Sequence, residues 1–229
     1  MELVVAPIDE LRLRLTEAFE AWARIEPSKR KSCALSGGGT ALVFLGALRN
    51  ANVDWSRISF YWADERAVAP DHPDSNFGVA DRVLLGPLGA KAPRALRMPA
   101  DMPDLGQAAL HYDNLLAHEL HDQPLDLALL GLGEDGHICS LFPGHPALLD
   151  DELRVVAVED APKPPPRRLS LTLSFVRQTR KIWLIAIGPR KLAVLNAALD
   201  RTERLTPVDM LMQDAKDVTV FTDQVIRRP

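Results

Sequence analysis

Short apolar runs that end in glycine or charge, each followed by a helical pattern, constrain this chain more than any other feature. The runs at 31–35, 57–63, 125–132 and 181–187 are too short for ordinary helices and read as buried strands. After the first, Phe44, Leu45 and Leu48 recur at helical spacing. After the last, Pro189 opens a pattern carried by Leu192, Leu195, Ala198 and Leu199. The clearest helical stripe holds Leu105, Ala108, Ala109, Tyr112, Leu115, Leu116 and Leu120, opened by Asp104 and Gln107 in the manner of a capping box. Helical spacing is also present at 7–25. Leucines alternate with Ser and Thr over 169–175, as in a half-buried strand, and a closing strand is expected at 218–221. Strand alternating with helix predicts an α/β fold: a single-domain, Rossmann-like architecture over 1–229, with a mainly parallel sheet and helices on both faces.

Composition narrows the function classes. With 47% hydrophobic and 25% charged residues, the 229-residue chain can build a full core and is not globally disordered. A net charge of −4 lacks the basic field of a nucleic-acid binder. Cys33 and Cys139 form no CxxC pair, so neither a disulfide framework nor a zinc site is expected. His118 and His121 stand three apart on a helical pattern, but such residues are more often surface histidines than metal ligands. No apolar run approaches the roughly 20 residues of a membrane span. The start of the chain lacks the basic and apolar regions of a signal peptide. A cytoplasmic protein with no membrane or nucleic-acid partner is the expectation, its oligomeric state open between monomer and dimer.

In a parallel sheet the strand ends gather at one edge, where ligands bind. The first run leads into Ser36, Gly37, Gly38, Gly39 and Thr40, and then a helix. That order aims backbone N–H groups and a helix dipole at an anion. It is not a Walker loop, since no Gly-Lys-Ser/Thr ends it. The second run ends in Asp64, Glu65 and Arg66. The third ends in Asp135 and His137. Lys191 sits in a first helical turn, where acids are usual and a cation suits a bound anion. Arg168 joins from a stiff basic loop at 162–168. Anion binders (the glycine loop, Arg66, Arg168, Lys191) thus meet an acid/base set (Asp64, Asp135, His137). The combination suits a small phosphorylated substrate undergoing proton transfer.

One pattern misleads. Gly131-Leu132-Gly133-Glu134-Asp135-Gly136 fits the dinucleotide fingerprint G-x-G-x-x-G. Such a site needs a helix immediately afterwards, and here Glu134 and Asp135 would repel phosphate while Pro143 and Gly144 follow closely. No nucleotide cofactor is expected. No G-x-S-x-G nucleophile elbow is present either.

Several separated motifs together resemble the 6-phosphogluconolactonase family. They are Leu35-Ser36-Gly37-Gly38-Gly39-Thr40, Ala63-Asp64-Glu65-Arg66 with Asp74-Ser75-Asn76-Phe77-Gly78, and Gly131-Leu132-Gly133-Glu134-Asp135-Gly136-His137 with Leu141-Phe142-Pro143-Gly144. Pro165-Pro166-Arg167-Arg168-Leu169-Ser170-Leu171-Thr172 and Gly188-Pro189-Arg190-Lys191 continue the match along nearly the whole chain. The resemblance implies metal-free, cofactor-free hydrolysis of a phosphorylated sugar lactone, 6-phospho-D-glucono-1,5-lactone, to 6-phosphogluconate in the oxidative pentose phosphate pathway. His137 would be the general base, oriented by Asp135 or Asp64. Arg66, Arg168 and Lys191 would hold the phosphate. The wider superfamily includes glucosamine-6-phosphate deaminase, in which a glutamate five positions after the histidine takes part in ring opening. Here that position is Phe142, which favours the lactonase. A non-catalytic sugar-phosphate sensor is the other alternative, but no DNA-binding extension accompanies the α/β pattern.

Overall fold

The computed structural model describes residues 1–200 and 205–226. Ten strands run in chain order among these residues: β1 (Glu2–Val5), β2 (Lys31–Leu35), β3 (Ile58–Trp62), β4 (Asp64–Arg66), β5 (Arg94–Leu96), β6 (Leu127–Gly131), β7 (Val155–Val158), β8 (Arg168–Leu171), β9 (Ile182–Ala186) and β10 (Val218–Thr222). Seven form one sheet in the order β1-β10-β9-β6-β2-β3-β5, with every pairing parallel. All residues of β2, β3, β9 and β10 are buried. A strand buried along its whole length is covered on both faces, as β9, apolar throughout, shows most plainly; β2, β3 and β10 also bury Lys31, Ser32, Ser59, Thr219 and Thr222.

The helix Ile8–Arg24 buries Leu11, Leu15, Phe19 and Trp22, the stripe its spacing predicts. The helix Leu105–Leu120 buries Leu105, Ala108, Ala109, Tyr112, Leu116 and Leu120. The Tyr112 hydroxyl accepts from the Trp62 N–H at 2.9 Å and donates to the Leu96 carbonyl at 2.9 Å, pinning that helix to the ends of β3 and β5. Asp104 caps this helix by accepting from the Gln107 N–H, without the reciprocal bond of a capping box. The full box lies later, between Thr206 and Asp209, at the start of the helix Pro207–Asp214.

A second sheet, β4-β8-β7, is antiparallel. The charged residues Asp64, Glu65 and Arg66, expected directly after β3 at its carboxyl end, form a strand of their own there. The strand expected over 169–175 stops at Leu171, because Thr172 accepts from the Phe175 N–H and opens a short helix, Leu173–Val176. Antiparallel register sets Asp64 opposite Ser170 and Arg66 opposite Arg168.

Chain order along the main sheet reverses between β2 and β6. The chain goes outward from β2 through β3 to β5, then returns to the other side of β2 for β6, β9 and β10. The carboxyl ends of β2 and β6 therefore flank a crevice, the place where open α/β sheets take ligands.

Candidate active site

A cleft of about 200 Å³ opens at that crevice. Its lining includes Ser36, Gly37, Gly38, Gly39 and Thr40 after β2, Asp64 and Arg66 of β4, and Gly131 to Glu134 with His137 after β6. Arg168 of β8, together with Lys163 and Lys191, completes the basic wall. Every residue predicted for the site lines it except Asp135, which stands behind His137.

The turn after β6 is built to hold the histidine. The Gly133 N–H donates to the His137 carbonyl at 2.9 Å, and the Gly136 N–H donates to the Gly133 carbonyl at 3.1 Å. A Cβ at Gly133 would fall 2.0 Å from His137 Nδ1 and 2.6 Å from Asp135 Oδ1, so only glycine admits the pair. Within it, Nδ1 of His137 lies 2.5 Å from Asp135 Oδ1. An ionised carboxylate there fixes the Nδ1–H tautomer and presents Nε2 as the basic nitrogen. The ring packs on Phe142 at 4.6 Å between centroids. Burial lowers the imidazole's pKa from its ordinary 6.5, against the pull of Asp135, and the nearby Lys163 lowers it further. Burial opposes ionisation of Asp135, but hydrogen bonds from Lys163 and His137 outweigh it and hold that carboxyl at about 2. Near neutral pH the pair is a neutral imidazole on a carboxylate.

Asp64 makes no hydrogen bond to His137. It is buried and accepts from the Ser140 hydroxyl at 2.9 Å. Of the two aspartates considered from the sequence, Asp135 is the one hydrogen-bonded to the histidine.

The basic wall divides in two. Arg168 is only 4% exposed. Its Nε donates to the Pro165 carbonyl at 2.8 Å, and one terminal nitrogen donates to the Lys163 and Pro164 carbonyls at 2.9 and 3.2 Å. The other donates to Ser140 Oγ at 3.3 Å. Arg168, expected to grip phosphate, does line the cleft, and its hydrogen bonds within the protein go to the 163–165 loop that carries Lys163 and to Ser140. Lys191, by contrast, donates to Thr40 Oγ1 at 3.2 Å and faces the start of the helix Gly38–Leu48, whose N-cap, Gly37, supplies no side-chain cap. Arg66 donates to the Asp74 carbonyl at 2.8 Å. Two buried polar atoms of the lining, Ser36 Oγ and Arg66 Nε, have no hydrogen-bond partner among the described residues. Glu65, between the two site residues Asp64 and Arg66, is a brace. Its carboxylate accepts from the N–H groups of Arg66, Asn76 and Phe77 and from the Ser75 hydroxyl.

Lys163 and Ser140 were not singled out in the sequence. The flanking prolines of Pro162-Lys163-Pro164-Pro165-Pro166 were the available signal for Lys163, since a stiff segment holds a lysine in one place. Ser140 carries no sequence signal of its own. Among the described residues no group of three or more His, Cys, Asp or Glu side chains is placed to hold a metal ion.

A family profile described as glucosamine-6-phosphate isomerases/6-phosphogluconolactonase matches residues 8–221. A 6-phosphogluconolactonase of Mycobacterium tuberculosis is 38% identical over 175 residues, covering 72% of this chain and 71% of that protein. The 6-phosphogluconolactonase of Rattus norvegicus is 32% identical over 207 residues, covering 87% of this chain and 80% of its own. The solved 6-phosphogluconolactonase of Trypanosoma brucei superposes with a TM-score of 0.84 at 25% identity, over 96% of this chain and 95% of that one.

Proposed function

The chain belongs to the glucosamine-6-phosphate isomerase/6-phosphogluconolactonase family, and from that premise we propose how its cleft hydrolyses 6-phospho-D-glucono-1,5-lactone to 6-phosphogluconate, a step of the oxidative pentose phosphate pathway. The observation that carries the reading is the Asp135–His137 pair, set at the carboxyl end of β6 beside an anion cradle. A lactone carbonyl is a modest electrophile, and water must lose a proton as it attacks. Nε2 of His137 takes that proton, a contribution typically worth about 10² to 10⁴-fold. The C–O ring bond then breaks, and the same nitrogen returns the proton to the ring oxygen.

The phosphate end is assigned to the other half of the cleft. Lys191, Thr40, Ser36 and the first amides of the helix Gly38–Leu48 converge there. A dianion at a helix N-terminus beside a lysine meets both the dipole and a full charge. Arg66, which lines the same cleft, is assigned to the carbonyl or phosphate oxygens. Asp64, an acceptor in a basic cleft, is assigned to a substrate hydroxyl. No metal enters this scheme. Phe142 in contact with His137 favours the lactonase over the deaminase, since that position offers no second carboxylate. We take residues 1–229 as one domain and place the enzyme in the cytoplasm, in keeping with its two unpaired, buried cysteines.

The test is the decay of freshly made 6-phosphogluconolactone, corrected for spontaneous hydrolysis. Acceleration above background is expected. No acceleration, or release of ammonia from glucosamine 6-phosphate instead, would overturn the reading.

A further inference from the structure

Lys163 lies on the Nδ1 edge of His137, away from the nitrogen that meets water. Its Nζ is 2.9 Å from Asp135 Oδ2 and 3.4 Å from His137 Nδ1. It is held there by the buried Arg168, which donates to the carbonyls of Lys163, Pro164 and Pro165. A carboxylate shared by a histidine and a lysine differs from the same carboxylate facing a histidine alone. By itself, Asp135 would stabilise the imidazolium and make His137 hold any proton it acquires. With an ammonium on its second oxygen, much of that charge is already balanced.

We propose that Lys163 is a positioning residue that keeps His137 unprotonated before attack and drives its proton onto the departing ring oxygen afterwards, an inference that rests on His137 being the general base. Attack forms a bond from the water oxygen to the carbonyl carbon and leaves one proton on Nε2. Collapse breaks the bond from that carbon to the ring oxygen, whose electron pair takes the proton from Nε2. An imidazolium beside Lys163 is less stable than one beside Asp135 alone, so the second transfer is favoured. The other charges facing the ring do not reproduce this effect. Asp64, at the start of β4, acts in the opposite sense, raising the histidine's affinity for a proton. Arg168 of β8 sits beyond Phe142, its guanidinium 5.5 Å from that ring's centroid. Lys191 and Glu134 line the cleft without a hydrogen bond to the imidazole.

Two variants and two readouts test this. Lys163→Met keeps the stem and removes the charge, and Lys163→Arg keeps a charge. The side chain is 43% exposed, so folding should tolerate both. In the ligand-free protein, the NMR titration of His137 should move to higher pH in Lys163→Met, by roughly one pH unit. The acid limb of kcat/KM should move with it, and Lys163→Arg should restore both. If Lys163→Met lowers kcat/KM equally at every pH and leaves the titration unmoved, Lys163 merely touches substrate and the proposal fails. His137→Ala separates the layers. An active His137→Ala enzyme overturns the base reading and this proposal with it. An inactive one, with an unmoved titration in Lys163→Met, overturns this proposal alone.

Discussion

The ring of Phe142 rests 4.6 Å from that of His137, tilted by 37°, and is itself 1% exposed. It forms one wall of the imidazole's environment, where burial outweighs the pull of Asp135. Phe142→Ala should cost about 3–5 kcal/mol of stability, as large aromatic truncations in cores do. It should also let water reach the imidazole, so that His137 titrates closer to its ordinary 6.5. Urea unfolding and a histidine NMR titration measure the two effects separately. A stability loss with no movement of the titration would show that the ring packs the core without governing the base.

Removing the base should stop the chemistry without unfolding the protein. We expect His137→Ala to lower kcat by about 10² to 10⁴-fold, with circular dichroism unchanged. Asp135→Asn keeps the shape of the carboxylate but no longer fixes the Nδ1–H tautomer. Its kcat should fall in the same range while KM changes little. Steady-state kinetics at saturating lactone reads both.

The pH dependence follows from the signs of the two shifts. Asp135 stays ionised down to about 2, so it does not titrate in the working range. His137 must be neutral to accept a proton, and its pKa is held below 6.5. Activity is therefore fully present at neutral pH and is lost as pH falls through the lowered histidine pKa. A single-proton acid limb in kcat/KM, centred below 6.5, is expected after correction for the spontaneous reaction. A limb centred above 6.5 would contradict the buried, Lys163-flanked imidazole.

The phosphate end should report in KM. Lys191→Ala removes a charge-assisted donor, worth about 1.5–3 kcal/mol, hence a roughly ten- to hundredfold rise in KM with a smaller effect on kcat. Arg168→Ala should behave differently, since its donors fold the 163–165 loop. There we expect loss of stability and of kcat together. Kinetics paired with thermal unfolding distinguishes gripping from bracing.

The parallel sheet was legible because β6 and β9 lie in continuous apolar runs and β2 and β3 are mostly apolar, and such short runs have few structural options. The gathering of Ser36, Asp64, Arg66, His137 and Lys191 followed from that sheet, since each lies just past a strand or at the start of a helix. In the second sheet the strand at β8 was legible, but β4 and its pairing were not. Asp64, Glu65 and Arg66 have the composition of a turn, and their strand character comes from pairing with β8, a tertiary effect. The role of Arg168 was hidden for a related reason. An arginine beside prolines reads as a free cation, and only the folded loop turns three carbonyls toward it. Strand β1 was missed because Glu2–Val5 is a short, partly exposed edge that pairs only with β10.

The last expectation concerns Gly136, between Asp135 and His137. Its φ is +84°, a left-handed conformation that side-chain-bearing residues adopt at a cost. A Cβ there would fall 2.6 Å from Thr206 Cβ, and Thr206 is the cap of the helix Pro207–Asp214. The Val208 N–H also donates to the Gly136 carbonyl at 3.1 Å. The catalytic turn is thus seated on the N-terminus of that helix, and two independent penalties, backbone strain and a clash, oppose any substitution. Gly136→Ala should therefore cost at least the roughly 1 kcal/mol of a strained left-handed residue. Because relief requires the turn to shift, kcat should fall by more than the stability loss suggests. The companion Thr206→Gly removes all three atoms that the new Cβ would approach, Cβ, Cγ2 and Oγ1, at a capping cost of only a few tenths of a kcal/mol. In the double variant Gly136→Ala/Thr206→Gly, part of the lost kcat should return. If the double variant is no better than Gly136→Ala alone, the turn fails from backbone strain and not from its contact with Thr206.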